Sequence, residues 1–225
     1  GTFGAPPTDA APVAVLAGVL HANAASILVS GAFSTGKTTL LNAVLAQLPP
    51  DVMVAVAEAF RELEVRQPGT ARVVVPPFVR EGEERITLAQ AVNSLLTRAR
   101  PDVMVLGEIT SFDEAREFFR AGNQGVRAMA TIHGNSAESA LVRLADLAIR
   151  EGVPLRSVRE QAADAVDLVV HMNRTGGRRY VAEVAWVRGV DDAGHYRLEL
   201  VYRAGQPRIE ALAAHLAPLR TGGAR

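Results

Sequence analysis

The stretch GAFSTGKTT, made of Gly31, Ala32, Phe33, Ser34, Thr35, Gly36, Lys37, Thr38 and Thr39, follows the order G-x-x-x-x-G-K-[ST]. That order suits phosphate. The backbone N–H groups of such a loop turn inward as an anion nest, and the positive end of a following helix adds to their field. Lys37 is placed to reach β and γ phosphates, and the Thr38 hydroxyl to take a position on Mg²⁺. The ligand these residue types predict is ATP with magnesium. Lys37 is also the single lysine among 24 basic side chains, the rest being arginine. A lysine kept against that preference marks a site that needs a compact ammonium on a flexible stem rather than a planar guanidinium.

Three carboxylates and one histidine follow at suggestive places. In RARPDVMVLGE, Glu108 stands two residues beyond the apolar stretch 103–106, so its carboxylate should emerge at the carboxyl edge of a sheet, where α/β folds bind ligands. A carboxylate beside a γ phosphate can orient or deprotonate the attacking water, and Glu108 is the candidate base. The plainer role for it is a strand-end carboxylate that caps the next helix or faces solvent. Glu58 and Glu62, spaced by four, would share a helical face or one acidic loop and could hold metal-bound water; the alternative is a solvated turn with Arg61, Glu64 and Arg66. The predicted metal set is Thr38, Glu58 and Glu108. His133 lies just past the apolar run 126–132 and could donate to a γ phosphate or to Glu108, although a lone histidine is more often structural. His21, His171, His195 and His215 have no such placement and read as structural.

The elements that must position these groups are legible from periodicity. Residues 26–30 read as a buried strand running into the glycine loop, and the apolar positions of 38–48 recur at helical spacing. Strand, loop and helix are the context the phosphate motif requires. Buried strands are predicted at 52–56 and 71–75, the second stopped by Pro76 and Pro77. Thr87 with Gln90 and Ser111 with Glu114 have capping-box spacing ahead of two helices, separated by a strand at 103–106. A strand at 126–132 and helices near 136–150 and 154–163 complete an alternation that implies a mostly parallel, helix-covered sheet. From 167 onward the pattern changes to strands at 167–172, 179–188 and 195–203 with glycine turns between them, read as an antiparallel meander. The divisions are a lead-in helix and linker at 1–25, the core at 26–165, a β extension of the same domain at 166–205, and a short helix with a flexible tail at 206–225.

Composition narrows the function classes. At 225 residues, 48% hydrophobic and 21% charged, the chain is long and apolar enough for one large globular domain. Equal numbers of acidic and basic residues, 24 each, give no global field toward nucleic acid or anionic lipid. With 5% aromatic residues, a stacking platform for single strands is not expected, so a nucleic-acid translocase is the less favoured class. The absence of cysteine excludes disulfides and thiolate metal sites. No apolar run approaches the roughly 20 residues that span a bilayer, and the beginning shows no basic-then-apolar leader pattern.

Four segments in order resemble the secretion ATPase superfamily of type II and type IV secretion and type IV pili: GAFSTGKTTLLNAVL its Walker A, VAVAEAFREL its acidic box, RARPDVMVLGE its Walker B, and MATIHGNSAESALVRL its histidine box. The last looks closest to the tight-adherence pilus and type IV secretion traffic branch. The resemblance implies a RecA-like P-loop core with the antiparallel β meander at its C-terminal end. It implies a homo-hexameric motor that hydrolyses ATP between neighbours at the cytoplasmic face of the inner membrane, against platform or secretion-channel proteins, without direct contact to nucleic acid. It also raises Glu58, Glu62 and His133 to site residues. The sequence departs from the family pattern at Ser34, which replaces a third loop glycine, at Ala59, which replaces an acidic residue, and at Thr110, where arginine is common. The family's arginine-bearing N-terminal domain is expected to be absent or encoded elsewhere. A hydrolysis-poor regulatory paralogue is the alternative that Thr110 and that domain suggest.

Overall fold

The computed structural model describes residues 25–76 and 86–205. The predicted lead-in helix and the terminal helix and tail lie outside the described residues. In chain order the elements are β1 (Ile27–Gly31), α1 (Lys37–Leu45), β2 (Val54–Glu58), β3 (Ala71–Val74), α2 (Leu88–Arg98), β4 (Val103–Ile109) and α3 (Phe112–Asn123). They continue with β5 (Arg127–Ile132), α4 (Ala137–Ala148), α5 (Leu155–Ala165), β6 (Leu168–Thr175), β7 (Arg178–Val190) and β8 (Tyr196–Arg203).

All eight strands form one sheet in the order β3-β2-β4-β5-β1-β6-β7-β8. β1 lies inside it, pairing in parallel with β5 on one side (Ile27 opposite Met129) and β6 on the other (Ile27 opposite Leu168). A strand covered on both faces must be apolar at successive positions, which is why ILVSG reads as a continuous run rather than an alternating one. Successive residues still feed different layers. Leu28, Ala57, Leu106 and Ile132 pack with Val92 of α2, Phe118 of α3, Leu141 of α4 and Val158 of α5. Ile27, Val29, Val56 and Val105 face Leu41, Val44 and Leu45 of α1. The sheet is thus sandwiched between four helices and one, the side-chain period of two dividing the layers.

The helices begin where the caps place them. Both expected capping boxes form, Thr87 with Gln90 and Ser111 with Glu114. A third, Ser136 with Ser139, opens α4; a serine in the place usually held by Glu or Gln hides it from the sequence pattern. α1 is different: its cap is Gly36 at φ 92°, with no side-chain cap and no acidic residue in the first turn. Its free N–H groups point toward the sheet's carboxyl edge, ready for an anion.

One expectation about strands is corrected and another is extended. β3 is a half-exposed edge strand, not a buried one, with Val74 40% exposed; a Pro76 that cannot donate to a ladder suits an edge. β6 is at once the first strand of the expected antiparallel meander and the sixth parallel strand of the main sheet. Its start is fixed by polar contacts to the residue before β1, since the N–H groups of Asp167 and Leu168 donate to the Ser26 carbonyl, and the Ser26 N–H donates to Asp167 Oδ2 at 2.7 Å. Antiparallel pairing is confined to β6–β7 and β7–β8, and the β extension expected from residue 166 continues the main sheet. Among the described residues no helix is long and apolar enough to cross a membrane.

Candidate functional site

The glycine loop leaves β1 at a place that only glycine fills. A Cβ on Gly31 would stand 2.5 Å from Thr35 Oγ1 and 2.7 Å from the Met172 carbonyl oxygen. Ser34 adopts φ 58° without being glycine, a left-handed conformation that costs on the order of 1 kcal/mol for a side-chain-bearing residue. Two contacts hold the loop in shape: Thr35 Oγ1 donates to the Ala32 carbonyl at 2.9 Å, and Arg179 Nε of β7 donates to the Ser34 carbonyl at 2.8 Å.

Lys37, 8% exposed, curls back over the loop and donates to the carbonyls of Gly31 and Ala32, both at 3.2 Å. Its ammonium is 3.9 Å from Glu108. Burial pushes its pKa below the ordinary lysine value, with Glu108 pulling the other way. Glu108 reaches this position through a bulge rather than by standing beyond the strand. β4 runs on to Ile109, and its pairing with β5 shifts at Gly107, which Thr131 Oγ1 holds by a 2.7 Å bond to the carbonyl. A Cβ on Gly107 would come within 3.1 Å of Glu58 Cβ, so the close approach of β2 and β4 explains that glycine. Bulges re-aim side chains, and this one turns Glu108 into the cleft.

His133 follows β5 and sets Nε2 3.2 Å from Glu108 Oε1, with its ring 4.0 Å from that of Phe33. Burial, then the charge of Lys37, lowers its pKa below the usual imidazole value, and Glu108 opposes them. At neutral pH the ring is therefore neutral and can donate one hydrogen bond while accepting another.

The acidic pair separates. Glu58 is the last residue of β2, 1% exposed; one carboxylate oxygen is taken by Arg72 and the other accepts the N–H groups of Glu62 and Leu63, both at 2.9 Å. With both oxygens engaged, Glu58 braces the following loop and does not present a carboxylate to a cation, contrary to the expected metal set. Glu62 occupies the rim instead, its Oε2 3.5 Å from the Thr38 hydroxyl. The two share neither a helix face nor an acidic turn open to solvent.

Sequence reasoning missed three residues here. Arg72, from β3, also donates to the Leu63 carbonyl at 2.9 Å. Asn42, one turn after Thr38, clamps the acidic loop from α1, donating to the Glu62 carbonyl and accepting from the Glu64 N–H. Arg179 reaches the loop from β7. Asn42 alone carried a usable signal, its place four residues after Thr38 on one helix face. Thr110, at the family's arginine position, donates its N–H and hydroxyl to Glu114 at 2.6 and 2.9 Å.

Lys37, Thr38, Glu62, Glu108, His133 and Arg179 line a cleft of about 670 Å³. Magnesium takes hard oxygen ligands, keeps several waters and is usually shared with substrate phosphates rather than caged by protein. The donors fit that habit: the Thr38 hydroxyl and the Glu62 and Glu108 carboxylates are at hand, and among the described residues no trio of acidic or histidine side chains forms a cage.

The chain is similar to known proteins over most of its length. A family model described as type II/IV secretion system protein matches residues 7–184. A Mycobacterium tuberculosis protein named for conjugal transfer is 32% identical over 208 residues, which are 92% of this chain and 58% of that protein. The conjugal transfer protein TrbB of Rhizobium radiobacter is 31% identical over 178 residues, 77% of this chain and 51% of TrbB. The VirB11 ATPase of the Brucella suis type IV secretion system, solved in complex with sulphate, matches with a TM-score of 0.67 at 27% identity, covering 76% of this chain and 50% of that one. The chain spans about half the length of these relatives. The RecA-like α/β fold expected from the sequence is the one present. Because the family match begins ahead of β1 and runs into β7, it takes in the whole cleft, and the chain belongs to the type II/IV secretion system protein family.

Proposed function

We propose that this chain is the ATP-hydrolysing motor domain of a secretion or conjugal-transfer machine, with assembly of a tight-adherence type pilus as the narrower possibility within that class. The observation that carries the reading is the grouping of Lys37, Glu108 and His133 within 3.9 Å contacts at the mouth of a glycine loop that opens a helix. ATP is the substrate. Bound magnesium would neutralise charge on the β and γ phosphates, held by the Thr38 hydroxyl with Glu62 and Glu108 nearby.

The chain's own groups then divide the work. The loop N–H groups and the α1 N-terminus bind phosphate oxygens, and Lys37 exchanges its carbonyl partners for them. Glu108 orients the attacking water and accepts its proton as the new P–O bond forms and the bond to the β-phosphate oxygen breaks, the electron pair leaving with ADP. Neutral His133 holds Glu108 by hydrogen bond and fixes which oxygen faces the water. In this reading the working unit is a homo-hexamer at the cytoplasmic face of the inner membrane, with rigid-body motion passed to membrane partners.

Steady-state hydrolysis across a protein concentration series, with size measured in parallel, tests the reading. Lys37→Ala should abolish ATP binding, and Glu108→Gln should keep binding while lowering kcat about a hundredfold or more. Wild-type turnover in the glutamine variant would remove Glu108 from its role.

A further inference from the structure

Of the described cations lining the cleft, Lys37 has one companion, Arg179, against the carboxylates of Glu62, Glu108 and Glu114, Glu58 being already paired with Arg72. A triphosphate brought into so acidic a cleft needs more positive charge than one ammonium. Arg179 comes from β7 across a hairpin whose two central residues, Gly176 and Gly177, have φ 57° and 82°. Two successive positive φ values make the tight hairpin turn that matches strand twist, so the arm is delivered on a rigid support. Its stem runs directly over the phosphate loop: a Cβ on Gly36 would stand 3.1 Å from Arg179 Cδ.

The guanidinium is only partly used. Nε donates to the Ser34 carbonyl at 2.8 Å, and among the described residues the two terminal nitrogens have no protein acceptor. Across the hairpin, Arg174 sits directly opposite Arg179. Like charges in that register destabilise a sheet, and none of the described carboxylates pairs with either of them. A costly pair of cations, one of which lies on the anion nest, makes sense when an anion is the missing partner.

We infer that Arg179 is a second phosphate-binding cation of the site, a side chain whose Nε braces the loop at Ser34 while its terminal N–H groups bind the polyphosphate of the nucleotide. A guanidinium suits the task because its fork binds phosphate oxygens in pairs while still bonding elsewhere. The inference rests on the nucleotide reading above and deepens it.

Fluorescence competition titrations of the full chain would measure binding of Mg·ATP and of inorganic tripolyphosphate to wild type, Lys37→Ala, Arg179→Gln and Arg179→Lys. Wild-type binding lost in Lys37→Ala establishes the nucleotide reading separately; no binding by wild type sinks that reading and the inference with it. Arg179→Gln keeps a donor for Ser34 but removes the charge, so both ligands should bind about ten- to a hundredfold more weakly, with Arg179→Lys in between. Unchanged affinity for both ligands would reduce Arg179 to a loop brace and overturn the inference. Loss for ATP alone would place the contact on ribose or base and overturn it equally, as would a lysine variant weaker than the glutamine one. Arg179 is exposed, and matching melting curves check that the variants fold.

Discussion

His133 and His171 stand on the two strands that flank β1. One follows the end of β5 and lines the cleft; the other lies within β6, opposite Ser30 of β1 and away from the cleft. His133 meets Glu108 in an open cleft. His171 is 5% exposed, its Nδ1 2.9 Å from the buried Ser30 hydroxyl and its charged neighbour Glu183 across on β7. Burial lowers the pKa of both. What divides them is access: a histidine that water and a carboxylate can both reach can take part in a reaction, and one sealed against a hydroxyl can only hold the strand that carries the loop.

The largest expected effect comes from His133→Ala, which should lower kcat about ten- to a hundredfold with ATP affinity and melting temperature little changed. Turnover that persisted would end the contrast on that side. His171→Ala should do the reverse, leaving the Ser30 hydroxyl buried without its partner at a cost of about 1–3 kcal/mol in denaturant unfolding. A catalytic defect with intact stability would put His171 in the reaction after all. The smallest effect is in pH. Because the folded-state pKa of His171 is lowered, the unfolded chain binds more protons, so its share of stability is full above about pH 6.5 and is lost as pH falls below that value. Unfolding midpoints between pH 8 and pH 5 should therefore fall less steeply in His171→Ala than in wild type.

The same two histidines mark how far the sequence could be read. The loop, its helix, the strand order of residue types and two capping boxes were legible because each is written within a few neighbouring residues. Position past an apolar run brought out Glu108 and His133 for the same reason. Non-local facts were not legible. That β6 lies beside β1 depends on contacts between Ser26 and Asp167, which are far apart in the chain, and with β6 in that place His171 comes beside Ser30. The engagement of Glu58 depends on Arg72 from a neighbouring edge strand, which no spacing rule on one strand reveals. The bulge at Gly107 needed the close approach of Glu58 to show itself.

One consequence of the Lys37 position concerns covalent chemistry. It is the only side-chain amine in the sequence, and it lies folded against the carbonyls of Gly31 and Ala32 with its basicity reduced by burial. A weakly basic amine carries a larger share of the free, nucleophilic form at a given pH than an ordinary lysine. Acylating reagents that spare arginine therefore meet a single side-chain target, seated at the phosphate loop, and the protein carries its own built-in reporter of whether that loop is open.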